Sequence, residues 1–207
     1  MSRSQPIDWS LYLVTEESVP IDRLLTIVQE AVLGGVTVVQ LREKSSNGHV
    51  FYEKAARLKR MLDHHSVPLI INDRVDIALA VEAAGVHIGQ KDLPLTAVKK
   101  IVPEEMAVGV SVQNVEQALE AAYNGADCIG VGAVFPTSTK KDANLLQKGM
   151  LEKICGAVAI PAVAIGGITL KNISTISNSG IAGIAVVSEI MKAKDPRKAA
   201  EQLRLWK

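Results

Sequence analysis

The stretch Gly34-Gly35-Val36-Thr37-Val38-Val39-Gln40-Leu41-Arg42-Glu43-Lys44 decides the fold. Two glycines end a helical pattern, a β-branched run follows at once, and the run ends in polar and charged residues. Other apolar runs end in Asn72-Asp73, Gly89-Gln90-Lys91-Asp92, Ser111, Thr137-Ser138-Thr139-Lys140, Gly166-Gly167 and Ser188. Strands that alternate with helices form a parallel sheet, so their carboxyl ends gather these clusters at one edge.

Apolar residues at helical spacing predict a helix between successive strands. The residues Ile21, Leu24, Leu25, Val28 and Val32 form one such stripe. Another comprises Val115, Ala118, Leu119 and Ala122, with Asn114 as its N-cap. Glycines at 35, 85, 125 and 180 each stand directly before a predicted strand. We predict that each one ends the preceding helix, because a left-handed helix cap favours glycine. This pattern gives eight strand candidates, each followed by a helix.

Two architectures fit an uninterrupted alternation of strands and helices: an open doubly wound sheet and a closed (β/α)8 barrel. An open sheet binds its ligand at one switch point, whereas here polar clusters follow nearly every strand. We therefore predict an α/β fold of the TIM barrel type, with eight parallel strands in a single domain over residues 1–207. Residues 1–9 form a polar lead-in.

The composition excludes several functional classes. The 207 residues are 48% hydrophobic and only 3% aromatic, as expected of buried parallel strands, and the formal net charge is +1. Such a balance gives no field that would attract nucleic acid or a membrane. We find no secretory signal and no transmembrane run, so we expect a cytoplasmic protein. Cys128 and Cys155 lack metal-site spacing.

Asp73 and Asp92 are candidate metal ligands at neighbouring strand ends. Mg²⁺ prefers one or two carboxylates together with waters and phosphate oxygens. The alternative is that each aspartate caps the helix that follows it, which taken alone is the commoner role. Their position among cationic strand ends favours the metal.

Gln40, Arg42 and Lys44 alternate along a strand end, so their side chains should point to one side and form an anion site. Glu43 should face the other way, which argues against a surface salt bridge with its neighbours. The segment 135–141 carries three hydroxyls and two lysines in the longest strand-to-helix connection, and it suits a phosphate-binding lid.

Gly166-Gly167 and Val187-Ser188 follow the seventh and eighth strands, where barrels of this type bind a phosphate through backbone N–H groups. His87 lies mid-strand and is interpreted as packed. The edge thus offers two anion sites, one with metal ligands for a diphosphate and one metal-free site for a monophosphate. The residues alone point to the joining or rearrangement of two phosphorylated small molecules.

The motifs together resemble those of thiamine-phosphate synthases, a family of (β/α)8 enzymes. The resemblance runs from Leu11 to Ser188. It rests on Gln40-Leu41-Arg42-Glu43-Lys44, Asn72-Asp73, residues 87–92, Val110-Ser111, residues 135–140 and Ala164-Ile165-Gly166-Gly167-Ile168. Gly132-Ala133-Val134 departs from the family pattern, which has Gly-Pro there, so we expect a less rigid base of the loop.

The resemblance implies a pyrimidine diphosphate and a thiazole monophosphate as the two substrates. It implies Mg²⁺ on Asp73 and Asp92. Diphosphate oxygens would bind to Arg42, Lys44, Asn72 and Lys140, and the pyrimidine and diphosphate would contact Gln40 and Ser111; of these, Arg42, Lys44, Ser111 and Lys140 would be catalytic. The thiazole phosphate would bind to Thr137, Thr139, Gly167, Val187 and Ser188.

Two rival functions remain open at this point. A thiazole tautomerase shares the barrel but needs no diphosphate site, and a non-catalytic phosphate binder would bind its ligand without consuming it. The sequence leaves open whether copies associate into a homo-oligomer and whether a carboxylated thiazole is the preferred substrate.

Overall fold

A computed structural model describes residues 6–17, 19–137 and 144–206 of the chain. Eight parallel strands close into a barrel in chain order, and helices cover its outside. The strands are β1 (Leu11–Val14), β2 (Val38–Leu41), β3 (Leu69–Asn72), β4 (Gly85–Ile88), β5 (Ala107–Val112), β6 (Cys128–Val131), β7 (Ala162–Ile165) and β8 (Gly183–Val186). The predicted (β/α)8 barrel is confirmed.

The helices are α1 (Ile21–Leu33), α2 (Gly48–His64), α3 (Val75–Ala80), α4 (Leu95–Ile101), α5 (Val115–Tyr123), α6 (Met150–Ala157), α7 (Ser188–Met191) and α8 (Pro196–Arg204). A 3₁₀ helix, Ile173–Ile176, stands between β7 and β8, where the alternation predicted an α-helix. Asn114 caps α5 as predicted, since its side chain accepts a hydrogen bond from the Gln117 N–H at 2.9 Å.

Two local predictions fail for identifiable reasons. Gly85 is not a helix cap: it is the first residue of β4, and a Cβ there would lie 2.6 Å from the Ala107 carbonyl oxygen. The left-handed residue after α3 is Glu82, with φ of 52°. Leu119, placed in the apolar stripe of α5, is 49% exposed, because Ala118 and Ala121 face the barrel instead.

Alternation along the strands separates two apolar clusters. Outward side chains such as Leu13, Val39 and Ile71 pack under the helices in the larger cluster. A smaller cluster fills the barrel interior and includes Trp9, Tyr12, Val38, Ile70, Cys128 and Val163. Trp9 precedes β1, so its ring, 5.6 Å from that of Tyr12 between centroids, fills the amino-terminal end of the barrel. The interior therefore becomes polar only towards the carboxyl ends of the strands.

Candidate functional site

The carboxyl ends of the strands form one rim, and this rim carries the predicted site residues that the structure describes. Gln40 and Ser111 lie within β2 and β5, and Asn72 ends β3. Residues in the connections that follow the strands are Arg42, Lys44, Asp73, Asp92, Thr137, Gly167 and Val187, while Ser188 begins α7. Thr139 and Lys140 lie outside the described residues.

Asp73 and Asp92 lie close enough for their carboxyl groups to interact. The Asp73 N–H donates to the His87 carbonyl at 2.8 Å, and its φ is 61°, in the left-handed region. Burial raises the pKa of Asp73 above its ordinary value; Lys44 lowers that pKa, whereas Asp92 raises it further. Two carboxylates so close together repel each other unless a cation lies between them or a proton is shared.

Neither aspartate has the alternative role of helix cap. The residue before α3 is Arg74 and the residue before α4 is Pro94, and neither helix start has a capping side chain. Instead an Asp92 oxygen accepts from the N–H of Gly89 at 2.7 Å, which fixes its loop. In the described part of the chain no three His, Cys, Asp or Glu side chains converge. A cation there would take two protein carboxylates and complete its shell with other oxygens, which fits Mg²⁺.

The cations after β2 have acidic partners other than Glu43. The Lys44 ammonium contacts the Asp73 carboxylate, and the Arg42 guanidinium lies 3.9 Å from a Glu17 oxygen. Glu17 also accepts from the Ser45 N–H at 2.6 Å, and the hydrogen bonds from Ser45 lower the pKa of Glu17. Glu43 itself turns away, as predicted, and pairs with Lys54 on α2.

A polar layer lies inside the barrel just below the rim. The Gln40 amide donates to the Tyr12 hydroxyl oxygen at 2.9 Å, and burial raises the pKa of that phenol well above its ordinary value. The Ser111 hydroxyl lies 2.9 Å from His87 Nε2, and the Ser111 carbonyl accepts from the Gln90 amide at 2.7 Å. These contacts orient Gln40 and Ser111 before any ligand arrives.

Asn72 contributes a buried donor that its surroundings do not use. The residue is 8% exposed, and its amide nitrogen has no hydrogen-bond partner among the described residues. Leaving a buried donor unsatisfied costs about 1–3 kcal/mol. A ligand oxygen at the rim would satisfy this donor, so the Asn72 amide is available to an anionic ligand.

His87 is the residue whose role sequence reasoning missed. It is buried, as predicted, but its ring also touches Ser111. The ring lies over two glycines of the barrel interior: a Cβ on Gly109 would be 2.5 Å from Nδ1 and one on Gly130 would be 3.1 Å from Cε1. The available signal in the sequence was a glycine at an inward position of two successive strands. That the His87 ring packs against both glycines becomes apparent only once the register between the strands is known.

The far side of the rim is built from backbone. Gly166 and Gly167 have φ of 100° and 65°, and a Cβ on Gly167 would lie 2.4 Å from the Pro136 carbonyl oxygen. The connection after β6 runs along this turn, since the N–H groups of Val134 and Phe135 donate to Ile165 and Gly166 at 3.0 Å. Thr137 is thereby carried to the Gly167 side of the rim.

The base of this long connection is tied together by backbone hydrogen bonds. The Ala133 N–H donates to Asn144 at 3.1 Å, and the Leu146 N–H donates to Ala133 at 2.8 Å. The Gly132–Ala133 peptide bond is cis. The two ends of the connection therefore meet at Ala133, the residue that stands where the family pattern has proline.

Comparison with known proteins identifies the family. The model of the family described as thiamine monophosphate synthase matches residues 11–190. The chain belongs to this family. A thiamine-phosphate synthase of Clostridium tetani is 50% identical over 198 residues, 95% of each chain, and one of Methanobrevibacter smithii is 48% identical over 95% of this chain and 94% of its own.

A solved thiamine phosphate pyrophosphorylase from Pyrococcus furiosus superposes with a TM-score of 0.88 at 39% identity, covering 98% of this chain and 97% of its own. As a thiamine monophosphate synthase family member, the chain is a transferase of thiamine biosynthesis that acts on small molecules. Within the described ranges, no helix has both the length and the apolar character needed to cross a membrane.

Proposed function

We propose that this rim joins 4-amino-5-hydroxymethyl-2-methylpyrimidine diphosphate to 4-methyl-5-(2-phosphoethyl)thiazole, giving thiamine phosphate and pyrophosphate. The carboxylated form of the thiazole would give the same two products and release its carboxyl group as carbon dioxide. The observation that carries the proposal is the division of one rim into two unlike halves. Cations and two carboxylates follow β2 to β4, and glycine backbone and hydroxyls follow β6 to β8. A diphosphate with its metal suits the first half, and a monophosphate suits the second.

In the first half Asp73 and Asp92 would hold Mg²⁺, and the ion would supply charge neutralisation for the departing diphosphate. Arg42, Lys44 and Lys140 would bind the diphosphate oxygens, and Asn72 would donate its unused amide hydrogen to one of them. Gln40 and Ser111 would contact the pyrimidine side of the substrate. In the second half the thiazole phosphate would bind to Thr137, Thr139, Gly167, Val187 and Ser188.

The proposed reaction is dissociative. The bond between the pyrimidine methylene carbon and the diphosphate oxygen breaks, and both electrons leave with the oxygen. The thiazole nitrogen then donates its lone pair to the methylene carbon of the pyrimidine cation. Neither substrate loses a proton, so the chemistry needs no general base; it needs charge stabilisation from Arg42, Lys44, Lys140 and Ser111 and the correct placement of the thiazole.

An assay of pyrophosphate release with both substrates tests this function. We expect release only when both substrates and Mg²⁺ are present, and we expect EDTA to stop it until Mg²⁺ is restored. A thiazole tautomerase would convert its substrate without releasing pyrophosphate, and a non-catalytic binder would consume neither substrate. Release that persists in excess EDTA would contradict the metal assignment.

A charge placed at Ser188 tests which half binds which substrate. The Ser188→Asp variant should raise the KM for the thiazole phosphate about tenfold or more through repulsion of the monophosphate, with the pyrimidine KM unchanged. Ser174→Asp adds the same charge at an exposed position of the 3₁₀ helix and serves as the control. A raised pyrimidine KM with an unchanged thiazole KM would mean that the two halves are interchanged. The cytoplasmic location stays a prediction.

A further inference from the structure

Glu43 lies between two proposed diphosphate ligands but points away from them. Its side chain is fully buried, and one of its oxygens is 2.7 Å from the Lys54 ammonium on α2, whose side chain is 12% exposed. The Ser46 hydroxyl donates to the other carboxylate oxygen. Among the ion pairs of the described residues, this is the one in which both side chains are nearly inaccessible; in the others at least one partner is 20% exposed or more.

Stability alone does not account for a pair of this kind. Removing two charges from water is unfavourable, and apolar side chains of similar volume often serve a fold as well or better. The pair fixes the orientation of the Glu43 side chain, because a carboxylate bound by both an ammonium and a hydroxyl has few other positions available to it. The backbone of Glu43 is therefore fixed to α2.

The neighbours of Glu43 are held by other elements. The Arg42 N–H donates to the buried Thr15 hydroxyl at 3.1 Å, and the Lys44 ammonium contacts Asp73 after β3. Glu43 is bonded directly to both residues, so fixing its side chain against α2 restricts the backbone rotation that aims Arg42 and Lys44, whose charged groups contact Glu17 and Asp73 instead. Both side chains are long, so a small rotation of the backbone displaces their charged ends much farther than it displaces the backbone atoms.

We propose that Glu43 is a positioning residue, which through its buried pair with Lys54 sets the direction in which Arg42 and Lys44 meet the diphosphate. The proposal rests on the proposed function, because it assumes that these two cations bind that group. Glu43 itself touches no substrate.

The Glu43→Gln variant keeps the shape of the side chain and removes its charge. We expect the KM for the pyrimidine diphosphate to rise about tenfold or more, since hydrogen bonds to charged groups are worth that much in affinity. The thiazole KM should stay within about twofold of the wild type. A merely structural role would instead lower the fraction of folded protein and kcat, with both KM values unchanged.

The control is Asp127→Asn. Asp127 pairs with Lys99 at the same 2.7 Å distance and precedes β6, so it lies at the opposite end of the barrel. We expect neither KM to change in this variant. If Asp127→Asn raises the pyrimidine KM as much as Glu43→Gln does, the effect is a general loss of rigidity and the proposal is wrong.

Glu43→Gln can leave the Lys54 charge buried and prevent folding, so a second variant is needed. The double variant Glu43→Leu with Lys54→Met replaces the pair by apolar side chains and should fold with near wild-type thermal stability. It should still show the raised pyrimidine KM. A stable double variant with a wild-type pyrimidine KM would overturn the proposal.

Binding of pyrophosphate with Mg²⁺, measured by titration calorimetry, separates this proposal from the proposed function. We expect the double variant to bind pyrophosphate about tenfold or more weakly than the wild type. If the wild type binds pyrophosphate but does not condense the two substrates, the proposed function fails while the positioning role of Glu43 stands. If both proteins bind pyrophosphate equally well, the positioning role fails.

Discussion

The Asp92→Asn variant should release pyrophosphate ~10²–10³-fold more slowly than the wild type at saturating substrates. A metal on a leaving diphosphate contributes several kcal/mol of charge stabilisation. If Asp73 and Asp92 hold that metal as proposed, removing one of the two carboxylates weakens the binding of the metal to the enzyme. Asparagine keeps an oxygen that can accept from the Gly89 N–H, so the loop after β4 should survive the change. The rate is measured from pyrophosphate release over a range of Mg²⁺ concentrations.

Asp76→Asn is the matched control for this variant. Asp76 lies three residues beyond Asp73, carries the same charge, and pairs with Arg74 at an exposed position of α3. Removing its charge should leave the rate within about twofold, because exposed ion pairs contribute little. Near wild-type activity of Asp92→Asn at saturating Mg²⁺ would exclude Asp92 as a metal ligand.

The Gly167→Ala variant should lose most of its affinity for the thiazole phosphate. The φ of 65° is unfavourable for alanine by about 1–2 kcal/mol. The new Cβ would also lie 2.4 Å from the Pro136 carbonyl oxygen. The turn and the connection must therefore separate, which moves the segment that leads to Thr137 away from the glycine turn. We expect the thiazole KM to rise about tenfold or more while the pyrimidine KM is unchanged.

Gly125→Ala separates backbone strain from the local clash. Gly125 has a φ of 84°, but the nearest atom to a Cβ there is the flexible Lys99 side chain at 4.0 Å, and the residue lies beyond the end of α5. This variant should lose thermal stability with both KM values unchanged. A Gly167→Ala variant that loses only the same stability, with a wild-type thiazole KM, would remove Gly167 from the phosphate site.

The architecture was predictable because its signals repeat. Short apolar runs followed by polar clusters recur at nearly every predicted strand end, so an error in one run does not change the topology. The assignment of single residues depended on local geometry. Gly85 was misassigned because a glycine needed for close strand packing looks the same in the sequence as one needed for a left-handed helix cap. Leu119 was wrongly placed on the buried face of α5. The alanines Ala118 and Ala121 occupy that face, and the apolar spacing alone predicted the larger leucine there.

The site was predictable to the level of which residues share the rim. Period-two alternation correctly separated Glu43 from Arg42 and Lys44. Their partners could not be predicted, because Glu17 and Asp73 belong to other connections and are brought together only by barrel closure. The contact between His87 and Ser111 depends on inter-strand register, which sequence spacing leaves open.

The aromatic pair of Trp9 and Tyr12 has a kinetic consequence. Because these rings fill the amino-terminal end of the described barrel, the polar interior at Gln40 and Ser111 is approached from the rim. Under the proposed assignment the pyrimidine reaches Gln40 and Ser111 inside the barrel, whereas the thiazole phosphate stops at the glycine turn outside it. A thiazole that arrived first would stand in the path of its partner. If the proposed assignment holds, we expect a compulsory order in which the diphosphate substrate binds first, and initial rates measured over both substrate concentrations test that order.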